Sequence, residues 1–130
     1  MSENMQHMES IAKAIFESNA LRQLDWLQSS IVFEMDDDGY VVGTYGFAYD
    51  EHGKSIPVAP SIDEIEEPVQ AYREWLRLDG DKGFIKMLFQ FDRTNSKVNA
   101  SFEFENPQRW SVTPANIDKI TEELRPRLDN

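Results

Sequence analysis

The sequence contains no cysteine, which excludes disulfide bonds, thiolate chemistry and cysteine-ligated zinc or iron–sulfur sites. Basic residues are also scarce: 13 lysines and arginines stand against 24 carboxylates, and the net charge is −11. A nucleic-acid binder needs a basic surface that displaces counterions, so this composition argues against direct binding to DNA or RNA. No stretch reaches the ~18 apolar residues of a membrane-spanning helix, and the N-terminal MSENMQHMES does not resemble a signal peptide. The sequence therefore predicts a cytoplasmic protein without a membrane partner.

Motifs for catalysis and cofactor binding are missing as well. No P-loop, dinucleotide fingerprint, nucleophile elbow or HExxH motif occurs, and neither His7 nor His52 has an acid–base partner nearby in the sequence. The run Asp36–Tyr40 begins like a calcium loop, but a tyrosine stands where a third ligand is required and no glutamate follows at the twelfth position. We therefore expect a protein that is not an enzyme and that uses no metal or cofactor.

What the chain does have is enough apolar material for one domain spanning residues 1–130, since 40% of its residues are hydrophobic. Apolar residues at helical spacing predict a first helix over residues 3–19. The second helix has two readings, because Ser61–Glu64 fits a capping box whereas Pro68 fits a first helical position. We favour a start at Pro68, with Gly80 just past the end. Thr113 is the predicted N-cap of a third helix.

Alternating apolar and polar residues predict two β-hairpins. The first pairs residues 27–35 with 40–49, and the second pairs residues 84–93 with 97–105. Residues 56–60 contain two prolines and are predicted to be an extended connection. The expected fold is α+β, with a four-stranded antiparallel sheet from two hairpins and three helices on one face, in the order α-β-β-α-β-β-α.

The net negative charge comes entirely from the first half of the chain. Residues 1–70 carry 14 acidic and three basic side chains, whereas residues 71–130 carry ten of each. A negative patch of this kind steers encounters with a basic protein, although it also serves as ordinary solvated surface. The candidate partner-binding residues cluster at the first hairpin tip, at its exit and before the second helix. They are Glu34, Asp36, Asp37, Asp38, Asp50, Glu51, Asp63, Glu64, Glu66 and Glu67.

The second half carries a family resemblance. A strand Lys97–Glu105 follows Phe89–Arg93, includes the pattern F-x-F-x-x-P and leads to Arg109–Asn116, which opens the last helix. This segment resembles small bacterial immunity proteins of polymorphic and contact-dependent toxin systems, in particular the YezG-like group. The resemblance implies neutralisation of a cognate toxin domain, often a nuclease, by direct binding. It carries over no fixed set of binding residues, because such families vary their contact surfaces.

Two other binding functions stay open at this stage. A small acidic secretion chaperone would hold an extended effector segment, and an obligate dimer with an apolar groove would favour that reading. A nucleic-acid mimic would need carboxylates spaced like phosphates along one face, which the neutral second half disfavours. The sequence does not decide between a monomer and a dimer.

Overall fold

The computed structural model describes residues 2–77 and 82–128, within which lie four helices and five strands. The helices are α1 (Glu3–Glu17), α2 (Asn19–Arg22), α3 (Ile62–Leu76) and α4 (Ile117–Glu123). The strands are β1 (Gln28–Met35), β2 (Val41–Tyr49), β3 (Ser55–Val58), β4 (Lys86–Asp92) and β5 (Lys97–Glu103). They form one sheet in the order β3-β2-β1-β4-β5, in which every neighbouring pair is antiparallel.

The α+β class and both predicted hairpins are confirmed, but the expected counts of four strands and three helices are wrong, since the described residues form five strands and four helices. The fifth strand is β3, which occupies most of the segment predicted to be an extended connection. Pro57 within it stands opposite Phe47 of β2. Because β3 is an edge strand, a residue without an N–H group is tolerated there. The prolines indicated an extended backbone but not its pairing partner.

The prediction that all helices pack on one face of the sheet is also wrong. Helices α1 and α3 cover one face, where Ile11, Ile65 and Phe33 are fully buried. Helix α4 lies against the other face, where Ile120 packs in a cluster with Val32. The central strands β1 and β4 bury apolar side chains on both faces, so both faces need cover.

Side-chain hydrogen bonds hold α4 on the second face. The Tyr49 hydroxyl donates to the carbonyl oxygen of Thr121 at 2.8 Å, and the Ser30 hydroxyl donates to that of Leu124. Burial raises the pKa of Tyr49 above its ordinary range, so the hydroxyl keeps the proton that it donates. The predicted N-cap of this helix, Thr113, is wrong, because the helix begins at Ile117.

Helix α3 begins at Ile62, six residues before the favoured start at Pro68. Proline within a helix removes one backbone hydrogen bond, but Ile65, Val69 and Tyr72 continue one buried face across it. Packing of this face outweighs the lost bond, and the capping-box alternative gives the right boundary. The predicted helix end at Gly80 lies outside the described residues.

The first helix is shorter than predicted. It ends at Glu17, and Ser18 separates it from the four-residue helix α2. The Ser18 hydroxyl donates to the carbonyl oxygen of Ile15 at 2.7 Å, which closes the last turn of α1. Among the described residues, no helix has both the length and the apolar character needed to cross a membrane.

Two glycines of β2 lie at a bulge and at a close approach of two backbones. The register with β1 shifts between Glu34, which pairs with Gly43, and Met35, which pairs with Val41. At Gly46 the two strands lie so close that an added Cβ would overlap the carbonyl oxygen of Ser30. This second glycine is therefore required by the contact between two backbones.

We expect Gly46→Ala to lower the free energy of unfolding by about 2–4 kcal/mol, because β1 and β2 would have to separate to admit the methyl group. Urea denaturation followed by circular dichroism measures this loss. The matched control is Gly43→Ala, whose methyl group meets only the flexible end of the Glu34 side chain. A larger loss at Gly43 than at Gly46 would contradict this account of the β1–β2 contact.

Candidate functional site

The turn between β1 and β2 is an acidic tip with a fixed shape. The Asp36 carboxylate accepts hydrogen bonds from the backbone N–H groups of Asp38 and Tyr40, both at 2.9 Å. Gly39 adopts a φ of 89°, which other residues rarely reach. With the turn closed by one aspartate, the side chains of Asp37 and Asp38 remain exposed.

The second acidic element is one side of α3. Residues three, four, seven and eight positions apart lie on the same side of a helix. The carboxylates on this side are Asp63, Glu66, Glu67 and Glu74, spread over about 16 Å of helix. The buried residues of α3 lie on other sides of the helix, so this side faces outward.

The fold brings these two elements together. The backbone N–H of Val41 donates to the Glu66 carboxylate at 3.3 Å, which ties the beginning of β2 to α3. Gly39 lies next to the guanidinium of Arg73, and a Cβ there would be 3.8 Å from a carboxylate oxygen of Glu74. We call the combined surface the acidic ridge. It consists of Asp36, Asp37, Asp38, Asp63, Glu66, Glu67 and Glu74.

A buried arginine supports this ridge from below. The Arg73 side chain is 2% exposed, and its Nε and Nη2 donate to the carbonyl oxygens of Phe84 and Lys82 at 2.9 and 2.8 Å. Its Nη1 makes no hydrogen bond and lies 3.9 Å from the Glu74 carboxylate. Arg73 therefore joins α3 to the segment that leads into β4, directly beneath the β1–β2 turn.

Exposed apolar side chains lie beside the ridge. Tyr40, which ends the acidic turn, is 56% exposed, and Val42 on the following strand is 57% exposed. Aromatic residues of this kind often anchor protein interfaces. The sequence analysis placed Tyr40 in a strand and did not propose it as a binding residue, although its position two residues after a run of three aspartates was a usable signal.

Two of the predicted residues serve other parts of the fold. Glu34 lies 3.5 Å from the ammonium group of Lys86, which is buried on the α4 side of the sheet. Glu64 accepts a hydrogen bond from the backbone N–H of Asn19 at 3.1 Å and so satisfies the beginning of α2. Both carboxylates contribute to local structure away from the ridge.

Asp50 and Glu51 lie at the far end of the sheet. Their turn follows the last residue of β2, about 26 Å along that strand from the acidic tip. Asp50 accepts backbone hydrogen bonds from Lys54 and His52, and these bonds hold its carboxyl pKa below the usual value. Asp50 and Glu51 therefore lie apart from the acidic tip, and six of the ten predicted residues gather on the ridge.

Four carboxylates of the ridge have no side-chain hydrogen bond or ion pair with any described residue. They are Asp37, Asp38, Asp63 and Glu67. By contrast, Asp36 closes the turn, Glu66 binds the N–H of Val41, and Glu74 pairs with Arg77 at 3.0 Å. The first set is available to a partner at little cost to the fold.

The two histidines lie in different surroundings. His7 stacks against Tyr72 with the ring centroids 5.5 Å apart, and exposed His52 lies 3.5 Å from the Glu51 carboxylate. Within residues 2–77 and 82–128, no three histidine, aspartate or glutamate side chains are placed to hold a metal ion together. The acidic ridge is thus the surface of the described chain with the clearest functional character.

The sequence matches no protein-family model and no curated protein. The case for a function accordingly depends on the side chains and geometry described above.

We expect Arg73→Met to lower the free energy of unfolding by about 2–4 kcal/mol, because the carbonyl oxygens of Phe84 and Lys82 lose their buried donor. Urea denaturation measures the change, and Arg22→Met provides a control with the same loss of charge at an exposed position. If Arg73→Met were as stable as the wild type, desolvation of the unpaired Nη1 would offset the two hydrogen bonds, and the supporting role of Arg73 would be excluded.

Proposed function

We propose that this protein is an immunity protein of the bacterial cytoplasm, which binds a cognate toxin domain and neutralises it. The proposed partner is a basic nuclease domain, and the proposed contact surface is the acidic ridge. The observation that carries the proposal is a set of four exposed carboxylates without partners: Asp37 and Asp38 on the turn, and Asp63 and Glu67 on one side of α3. The resemblance of residues 84–118 to immunity proteins agrees with it.

The electrostatic argument has two parts. A nuclease must present lysine and arginine side chains to the phosphates of its substrate, so its active-site surface is positive. A negative ridge steers the encounter with such a surface and raises the association rate. Once the two surfaces meet, close charge pairs couple by ~1.5–7 kcal/mol each, far more than an exposed ion pair within one protein. Occupation of the phosphate-binding surface then excludes the nucleic acid.

The rigidity of the ridge also favours tight binding. Asp36 fixes the turn through two backbone hydrogen bonds, and Arg73 fixes the position of α3 against the sheet. A surface that is already ordered loses less conformational entropy when it binds. Tyr40 adds an exposed aromatic ring at the edge of this surface. The proposal therefore combines charged contacts with one aromatic anchor, and it requires no metal, cofactor or catalytic residue in this chain.

A secretion chaperone is the second candidate function. The observation that favours it is an apolar groove of about 300 Å³ between α1 and β5, lined in part by Met5, Phe16 and Val98. An extended effector segment with apolar side chains would fit such a groove. In that case the binding energy would come from the groove, and charge changes on the ridge would have little effect.

We expect the double variant Asp38→Lys/Glu67→Lys to bind the toxin domain at least ~100-fold more weakly than the wild type, because two attractive contacts become repulsive. The toxin to use is the C-terminal domain of the protein encoded beside this gene, and calorimetry at two salt concentrations measures the affinity. Wild-type binding should also weaken as the salt concentration rises.

The control for this experiment is Glu51→Lys/Glu123→Lys, which changes the net charge equally at exposed positions away from the ridge. It should bind within a few-fold of the wild type. Equal losses in both double variants would indicate a long-range charge effect rather than a contact surface. Affinity that is insensitive to salt and to the ridge variant would rule out the ridge.

We expect Tyr40→Ala to weaken toxin binding by about 30-fold, which corresponds to the ~2 kcal/mol typical of an aromatic anchor. Because the ring is mostly exposed, its removal should leave the urea midpoint nearly unchanged. Ile117→Ala, which removes an exposed apolar side chain from α4, serves as the control. Unchanged affinity for Tyr40→Ala would place this residue outside the interface.

A further inference from the structure

The two edges of the sheet differ in how well they are protected. The edge strand β3 has four residues and carries Pro57, which cannot donate a hydrogen bond to an incoming strand. The edge strand β5 has seven residues and no proline. Long edge strands without such protection readily pair with another strand. The open edge of this sheet is therefore β5.

Hydrogen bonds at both ends of β4 show which of its residues bond to β1. The N–H of Arg93, directly after β4, donates to the carbonyl oxygen of Leu27 at 2.7 Å. The N–H of Met35 donates to the carbonyl oxygen of Ile85 at 2.8 Å, whereas Ile85, which precedes β4, directs its own N–H to Glu103. In an antiparallel pair, successive residues direct their backbone groups to opposite sides. The odd-numbered residues of β4 thus bond to β1, and its even-numbered residues bond to β5.

The same alternation identifies the free backbone groups of β5. Leu88 pairs with Ser101 in the β4–β5 register, so the backbone groups of Ser101 point toward β4. Those of Val98, Ala100 and Phe102 then point away from the sheet. No helix, turn or loop of the described chain supplies them with a backbone hydrogen bond. Three residues thus present both a donor and an acceptor at the edge.

The sequence of β5 is complementary to itself when it is reversed about Ala100. In an antiparallel pair of two copies centred there, Val98 stands opposite Phe102, and Asn99 stands opposite Ser101. Lys97 at one end stands opposite Glu103 at the other. The hydrogen-bonded positions of this pair are the three residues whose backbone groups are free, which gives six hydrogen bonds between the copies.

We propose that two copies of this chain pair through their β5 strands, antiparallel and centred on Ala100, to form a continuous ten-stranded sheet. The proposal does not depend on the proposed function, because it uses a different part of the surface.

Charge complementarity supports a second copy as the occupant. The Glu103 carboxylate accepts backbone hydrogen bonds from Asn106 and Glu105 and one bond from Arg109 at 3.0 Å, and together these hold its pKa at about 2. It is therefore negative at neutral pH and faces the positive Lys97 of the other copy at both ends of the seam. Opposite charges directly across a strand pair are favourable. Strand β5 itself carries one basic and one acidic side chain, Lys97 and Glu103, so the paired strands add no net charge to the seam.

Apolar side chains extend this complementarity beyond the strand. Because a two-fold axis through the Ala100 pair runs perpendicular to the sheet, both α1 helices lie on the same side, beside the seam. The register places Phe104 of one copy, which is 50% exposed in the single chain, opposite Ser96 of the other. Ser96 borders the apolar groove that also contains Phe16 and Met5, which are 42% and 38% exposed. The dimer thus offers cover for these exposed groups.

Light scattering coupled to size-exclusion chromatography tests the proposal at loading concentrations up to ~1 mM. The wild type should have about twice the 15.1 kDa mass of one chain at the higher concentrations. Ala100→Pro should be monomeric, because it removes two of the six hydrogen bonds while sparing the fold, since that N–H faces outward. Circular dichroism and the urea midpoint check that the variant remains folded.

A second pair of variants decides the case if Ala100→Pro does not fold. Lys97→Glu places like charges at both ends of the seam and should weaken the dimer at least ~10-fold. Lys119→Glu makes the same change on α4 and should not alter the mass. A wild type that is monomeric at ~1 mM would overturn the proposal, and so would a folded Ala100→Pro or Lys97→Glu variant that dimerises as strongly as the wild type.

Discussion

The buried guanidinium of Arg73 is the contact on which the arrangement of the acidic ridge depends. It joins three parts of the chain that are distant in sequence, because it belongs to α3, binds the carbonyl oxygens of Lys82 and Phe84, and packs against Gly39 in the β1–β2 turn. An arginine in this position carries an electrostatic cost, since its Nη1 is buried without a hydrogen bond. That cost is lowered by the Glu74 carboxylate, which lies 3.9 Å from Nη1. The ridge and the buried cation thus stabilise each other.

Local sequence patterns predicted the two hairpins correctly, but they did not predict how the strands and helices assemble. The alternation of apolar and polar residues in β1 and β5 correctly indicated strands that pair in hairpins. The pairing of β3 depends on an edge position that only the whole sheet defines. Likewise, α4 covers the second face of the sheet, where Val32 and Leu88 are buried. Each of them is a single apolar residue in a strand whose other residues alternate between apolar and polar. The predicted start of α3 at Pro68 was wrong for a related reason. The packing of the buried face of α3 outweighed the preference of proline for the first helical position.

The site was predicted in part, because the sequence shows which residues are acidic but not where their side chains point in the fold. The carboxylates of the turn and of α3 meet through Val41 and Glu66, a contact between residues 25 positions apart. Glu64 differs from its neighbours only by its position around the helix, which turns it toward Asn19 instead of outward. Asp50 and Glu51 follow the same hairpin in sequence, yet a strand of nine residues places them at its opposite end. Helical and strand periods, applied after the boundaries are known, separate these cases.

The ridge and the β5 edge occupy different sides of the helical layer, and this separation makes a dimer compatible with toxin binding. Glu66 connects α3 to β2, and Glu67 lies at the groove between α1 and α3. Tyr72 on another side of α3 contacts Phe102 of β5, and none of the four exposed ridge carboxylates forms a hydrogen bond or ion pair with that strand. Two copies joined at β5 would each keep the ridge exposed. The charge of β5 has the same consequence, because its lysine and glutamate balance each other and leave the unpaired carboxylates on the turn and on α3.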